Sequence, residues 1–258
     1  MAPIILITLT AVFYLIEPKV SALRIPAWRH RHARINLTVA ALNVAVLAGI
    51  GLATSAVMQR LHAGPVGLNN LLADAGVPAM AATALIVLLY DYLNYWIHRS
   101  QHQVNALWPL HRIHHSDPYL DVTSAFRFHP FESLYRAVIQ SAGIVVLGMT
   151  PPMISLYLVI VVCALLFSHA NIRLPAALDR PLSLVLVTPD MHRVHHSHER
   201  RWHDSNYGIA CSVWDRLHGT FTAPALVTDL IIGHDQYPEA EKLTVAAMLA
   251  DPLQRRQR

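Results

Sequence analysis

The chain has 258 residues, 54% hydrophobic and only 14% charged, with a mean hydropathy of +0.36. A soluble domain carries about a quarter charged residues, so the composition points to a membrane protein. The net charge of +4 forms no dense Lys/Arg stripe and the two cysteines, Cys163 and Cys211, form no CxxC pair, which argues against nucleic acid, a disulfide framework and an iron–sulfur site.

The N-terminal run MAPIILITLTAVFYLIEP lacks the basic leader and small-residue cleavage site of a signal peptide, and is read as a retained first helix over 1–16. Leu37 to Met58 and Val77 to Ile97 are each long enough to cross roughly 30 Å of hydrocarbon as a helix. Where the second of these ends, HRSQH places His98 and His102 on one helical face, and Asp91 shares that face seven residues earlier. HRIHHS follows, with His111, His114 and His115 at i, i+3, i+4 between Pro109 and the stop Ser116-Asp117-Pro118.

Val138 to Met149 and Met153 to Phe167 are short, and the Pro151-Pro152 pair between them predicts a helical hairpin over 138–168. HRIHHS recurs beyond it as HRVHHS, and the two can meet only if the chain returns to the side it left. In the second copy Thr188 reads as an N-cap, Pro189 as the first helical residue and Asp190 as a first-turn acid; His192, His195 and His196 repeat the spacing. Asp91 and Asp190 could each orient an imidazole by accepting its second N–H. For Asp190 the plainer reading is helix-end charge complementarity.

The segments 17–36, 98–137 and 169–258 hold five, four and ten Lys/Arg, against only Arg60 in the loop 59–76. The positive-inside rule then puts the histidine side in the cytoplasm. Residues 1–258 are read as one domain, with membrane-associated helices after His169.

At this histidine frequency roughly 0.1 HxxHH is expected by chance, and the chain has two plus an HxxxH. Isolated histidines such as His30, His32, His62 and His234 are read as packed or hydrogen-bonded. The eight clustered ones are read as metal ligands. Eight imidazoles exceed the needs of one ion, and HExxH is absent, so two iron ions fit better than zinc. A zinc-dependent membrane hydrolase and a metal-transport or metal-binding membrane protein stay as alternatives.

YWIHRSQH, LWPLHRIHHSD, RFHPFE, TPDMHRVHHS, NYG and WDRLHGTF, in that order over about 80–222, resemble the fatty acid hydroxylase superfamily of membrane di-iron enzymes. Its members include sterol desaturases, methylsterol oxidases and alkylglycerol monooxygenase. The resemblance implies an all-α, multi-pass membrane helical bundle with a cytoplasmic histidine-rich di-metal cap. It also implies hydroxylation or desaturation of a lipid C–H bond with two Fe ions, O2 and two electrons. The family ligands fall on His98, His102, His111, His114, His115, His192, His195 and His196. His169 in FSHAN and His129 in RFHP match further family positions, where the other reading is a histidine beside the ligands. His218 departs from the family pattern and is taken as variation; His198 and His203 are read as polar surface, Tyr207 and Trp214 as packing residues. The chain has no haem or flavin fingerprint, so electrons come from a separate cytochrome or ferredoxin system.

Overall fold

The computed structural model describes residues 2–61, 67–227, 229–234, 237 and 243–253; these are helical, with two isolated β-bridges and no strand among them. His62 lies outside the described residues. Two long helices come first, α1 (Ala2–Val20) and α2 (Arg29–Leu61), then the short α3 (Leu68–Asp74), α4 (Ala79–Gln103) and α5 (Trp108–His115). The hairpin is formed by α6 (Pro130–Leu147) and α7 (Pro151–His169). Both arms run further than the apolar stretches suggest, because each opens on a proline whose missing N–H is no loss at a first helical position. The turn itself is made by Gly148, which closes α6 in the left-handed region at φ 66°.

Among the described residues, three helices are long and apolar enough to cross a membrane: α2 over Arg29–Val57, α4 and α7. The helix α6 carries Glu132, Arg136 and Gln140, and it is not among the three. Leu42, Val44 and Leu52 on α2, Met80 and Leu88 on α4, and Leu156 on α7 are exposed. A hydrocarbon solvent tolerates such a surface, and water does not. Inside, Ile86 and Tyr90 of α4 pack on Met149, Met153 and Tyr157, while α1 lies on α7 and α2 on α6.

Short helices close the histidine-bearing end: α8 (Ala176–Leu182), α9 (Pro189–His195), α10 (Arg200–His203), α11 (Val213–Leu217) and α12 (Val245–Ala250). Asp91 ties this cap to the long helices and touches no imidazole, contrary to the expectation from its helical face. It accepts from Tyr157 Oη (3.1 Å), the Cys211 N–H (3.2 Å) and Trp214 Nε1 (2.8 Å). Seven residues share a face but stand about 10 Å apart along the axis, beyond hydrogen-bond reach of His98.

Candidate metal centre

Four elements deliver the histidines. The last turns of α4 carry His98 and His102, α5 carries His111, His114 and His115, α7 ends on His169, and α9 carries His192 and His195 with His196 as its C-cap. Thr188 caps α9 by accepting from the Met191 N–H, and Pro189 starts it. The buried rings form two groups: His98, His102, His111, His115 and His195, and His114, His169, His192 and His196. In each group one nitrogen per ring lies within 4.8 Å of all the others. Each hexad serves both groups. HRIHH sends His111 and His115 to the five-membered group and His114 to the other, whereas HRVHH sends His195 to the first and His192 and His196 to the second.

Hydrogen bonds at the outer nitrogens decide what the inner ones can hold. His98 Nδ1 lies 2.8 Å from the Tyr207 carbonyl and His111 Nδ1 2.8 Å from Glu132 Oε1, so both Nδ1 atoms are donors. In the neutral rings both Nε2 atoms then carry lone pairs, yet they face each other at 3.2 Å. His169 Nδ1 is likewise fixed by the Leu165 carbonyl at 2.8 Å, and its Nε2 faces those of His114 and His192 at 3.2 and 3.1 Å. His195 Nδ1 donates to the Ser205 carbonyl (2.7 Å), leaving Nε2 unpartnered; His102 and His115 have unpartnered Nε2 atoms too. At His98, His111, His169 and His195, where a hydrogen bond fixes the tautomer, the Nε2 lone pair turns inward, and lone pairs converging in this way are what a divalent cation fits. Burial pushes His114, His115, His192, His195 and His196 well below the ordinary imidazole range, and their neighbouring histidines add to the shift in each. Neutral imidazole is the form that binds metal.

Other expected residues fall elsewhere. His129 joins neither group: its Nδ1 accepts from the Phe131 N–H that opens α6, and its Nε2 donates to the Leu249 carbonyl, so both nitrogens are used. Asp190 pairs with Arg193, one turn on, because the i, i+3 guanidinium reaches it before any ring does. His203, read as surface, is buried; its ring stacks on Trp108 at 5.1 Å and lies against His102 and His115. His198 is partly exposed, and His218 stacks on Tyr92 and Tyr95 outside both groups. Tyr207 and Trp214 do pack, and Arg112 and Arg193 pair with Asp251 and Asp190.

Spacing alone missed Glu132, which is fully buried and bonded to His111 and Gln101. The run RFHPFE contains it, three residues after His129.

A family model described as fatty acid hydroxylase matches residues 83–220, which span every residue of both groups. The chain belongs to the fatty acid hydroxylase family. Relatives in and around this family include an ornithine lipid hydroxylase of Rhizobium tropici, 30% identical over 60% of this chain and 46% of that protein. Alkylglycerol monooxygenase of Danio rerio is 34% identical over 53% of this chain and 30% of its own length. Lathosterol oxidase of Mus musculus is 25% identical over 62% and 53%. The chain thus spans between about a third and a half of these relatives. No solved structure matches it.

Proposed function

We propose that this fatty acid hydroxylase family member is a membrane di-iron oxygenase acting on a lipid C–H bond. Its histidine end faces the cytoplasm, and electrons arrive from a separate cytochrome or ferredoxin carrier. The observation that carries the reading is the pair of adjoining imidazole groups, with lone pairs turned inward at His98, His111, His169 and His195, where a hydrogen bond fixes the tautomer. His98, His102, His111, His115 and His195 would hold one ion, and His114, His169, His192 and His196 the other. Bound iron supplies the O2 activation and electron storage that imidazoles lack.

The chain's own residues do the rest. The Tyr207, Ser205 and Leu165 carbonyls and Glu132 fix four rings in the tautomer that leaves Nε2 for metal. Phe128, stacked on His114, and Leu166 give the approach an apolar wall. Among the described residues no carboxylate belongs to either group; Glu132 Oε1 binds His111 and Gln101, and Asp204 lies 3.4 Å from His102 Nδ1. The all-imidazole donor set, with relatives named as a hydroxylase, a monooxygenase and an oxidase, supports oxygenation over hydrolysis. Hydroxylation balances as RH + O2 + two electrons + two protons giving ROH + H2O; desaturation consumes the same O2 and electrons and yields two waters. The relatives' names cover an ornithine lipid, alkylglycerols and a sterol, so the substrate class proposed is membrane lipid.

Purified chain, loaded with iron and given a reductant under labelled O2, should convert lipid to a product that gains one labelled oxygen or loses two hydrogens. One zinc per chain with ester or amide hydrolysis would overturn the reading.

A further inference from the structure

A cavity of about 870 Å3 lies between α1, α2, α7 and the 3-10 turn Val122–Phe126. Its wall is largely apolar and runs to Phe128, whose ring stacks on His114 at 4.9 Å, and to Leu165, whose carbonyl holds His169. Asn43 interrupts that wall and is 5% exposed. Its Nδ2 donates to the Val39 and Phe128 carbonyls at 2.9 and 2.8 Å, which uses both N–H groups and fixes which end of the amide is which. Oδ1 is left buried without a hydrogen-bond partner. A buried acceptor unpaired in an apolar wall carries a free-energy cost that a ligand's donor removes. Of the four hydroxyl residues on the wall, Thr10 is engaged with the Leu6 carbonyl, Thr123 with Asp121 and Tyr14 with His30; Ser133 is the fourth, at the start of α6. Arg34, exposed on the same wall, stands about 13 Å from Asn43 along α2 and supplies a cation towards the end where α2 begins.

We propose that this cavity takes the chain of a lipid that already carries a hydroxyl, donated to Asn43 Oδ1, with an anionic head group at Arg34. The inference deepens the oxygenase reading and rests on it for what then happens to the chain; the binding stands without it. A hydroxyl is satisfied by a single acceptor, whereas an amide also brings a carbonyl that needs a donor. Holding the hydroxyl at Asn43 sets the register of the chain, so its distance to the oxidised carbon is fixed by the path from Asn43 past Phe128 to His114. Arg34 and Asn43 both lie outside the matched residues 83–220. Recognition of this kind therefore comes from helices that the family model does not cover.

The full chain, metal-loaded in lipid nanodiscs and without reductant, is the material to test. Stearate and a series of hydroxystearates, with the hydroxyl moved one carbon at a time, compete against a fluorescent fatty acid. Affinity should peak at one hydroxyl position, about tenfold above stearate. In Asn43→Leu the peak should vanish while stearate binding and metal content persist, and Arg34→Gln should weaken every member alike. A flat series on the wild-type protein overturns the proposal whether or not the variants fold, and so does a peak that survives in Asn43→Leu. A binding peak with no oxidation once reductant and O2 are added would instead sink the oxygenase reading and leave hydroxyl recognition standing.

Discussion

Glu132 is buried to the last atom, with Oε1 2.8 Å from His111 Nδ1 and 2.9 Å from Gln101 Nε2. One carboxylate therefore ties α4, α5 and α6 together and fixes the tautomer of an imidazole. Removing such a partner typically weakens metal affinity about 10–100-fold without removing a ligand. Glu132→Gln should show that loss in chelator competition, with helix content unchanged by circular dichroism; metal retention equal to wild type would reduce Glu132 to packing. Asp117 does comparable work beside the centre, accepting from His32 Nε2 at 2.8 Å and Ser124 Oγ at 2.7 Å. Burial opposes its ionisation, but His32, Arg127 and these hydrogen bonds outweigh it and hold the carboxyl well below its ordinary value of 3.8. A carboxylate depressed in the folded state contributes stability that is complete above its unfolded value and lost as pH falls through the folded one. Asp117→Asn should cost about 3–5 kcal/mol, as breaking a buried pair does, and the cost should shrink as pH falls below about pH 4, where wild type loses the carboxylate's contribution. A penalty that stays constant down to about pH 2, in denaturant unfolding of the detergent-solubilised chain, would contradict this assignment.

At the scale of elements, the two hexads cross. In α5 the i, i+4 pair His111 and His115 joins the five-membered group while His114 joins the other; in α9 the i, i+4 pair His192 and His196 joins the four-membered group while His195 joins the first. Neither helix can be lost without damage to both groups. His114→Ala and His195→Ala should each abolish lipid oxidation under reducing, aerobic conditions, and the double variant should be hardly worse than either single one. Independent, multiplicative losses would mean that the groups work separately. The helices and their ends were readable beforehand because caps and prolines are local: Thr188-Pro189 opens α9, Pro109 lies in the first turn of α5, and a turn follows Met149's run. Which histidine joins which group was not readable, since that depends on how α5 and α9 face each other across His169. The same holds for His203, drawn inward by Trp108, and for Asp91, whose partners lie 66 to 123 residues away in sequence. Glu132 was invisible for a similar reason, because nothing in its neighbourhood signals that α6 will lie against α5.

At the scale of the whole molecule, contacts between α5 and α9 already require the chain to return after the hairpin, for His115 and His196 stack at 4.6 Å. The open quantity is the direction in which the long helices are threaded. α4 has 25 residues, about 37 Å of helix, enough to cross roughly 30 Å of hydrocarbon and separate Asp74 from Asn105. The segments of five and four Lys/Arg flank the histidine end, whereas the loop 59–76 holds only Arg60. That asymmetry supports the proposed cytoplasmic position of the histidine end. With Cys163 and Cys211 replaced by serine, a membrane-impermeant maleimide on intact cells should label Asp74→Cys. Asn105→Cys and Arg201→Cys, both at exposed positions, should react only after permeabilisation. Labelling of both in intact cells would reverse the orientation and put electron delivery from a cytoplasmic carrier out of reach. Labelling of one but not the other would mean that α6 and α7 do not bring the chain back, and the two groups of imidazoles could not share a centre.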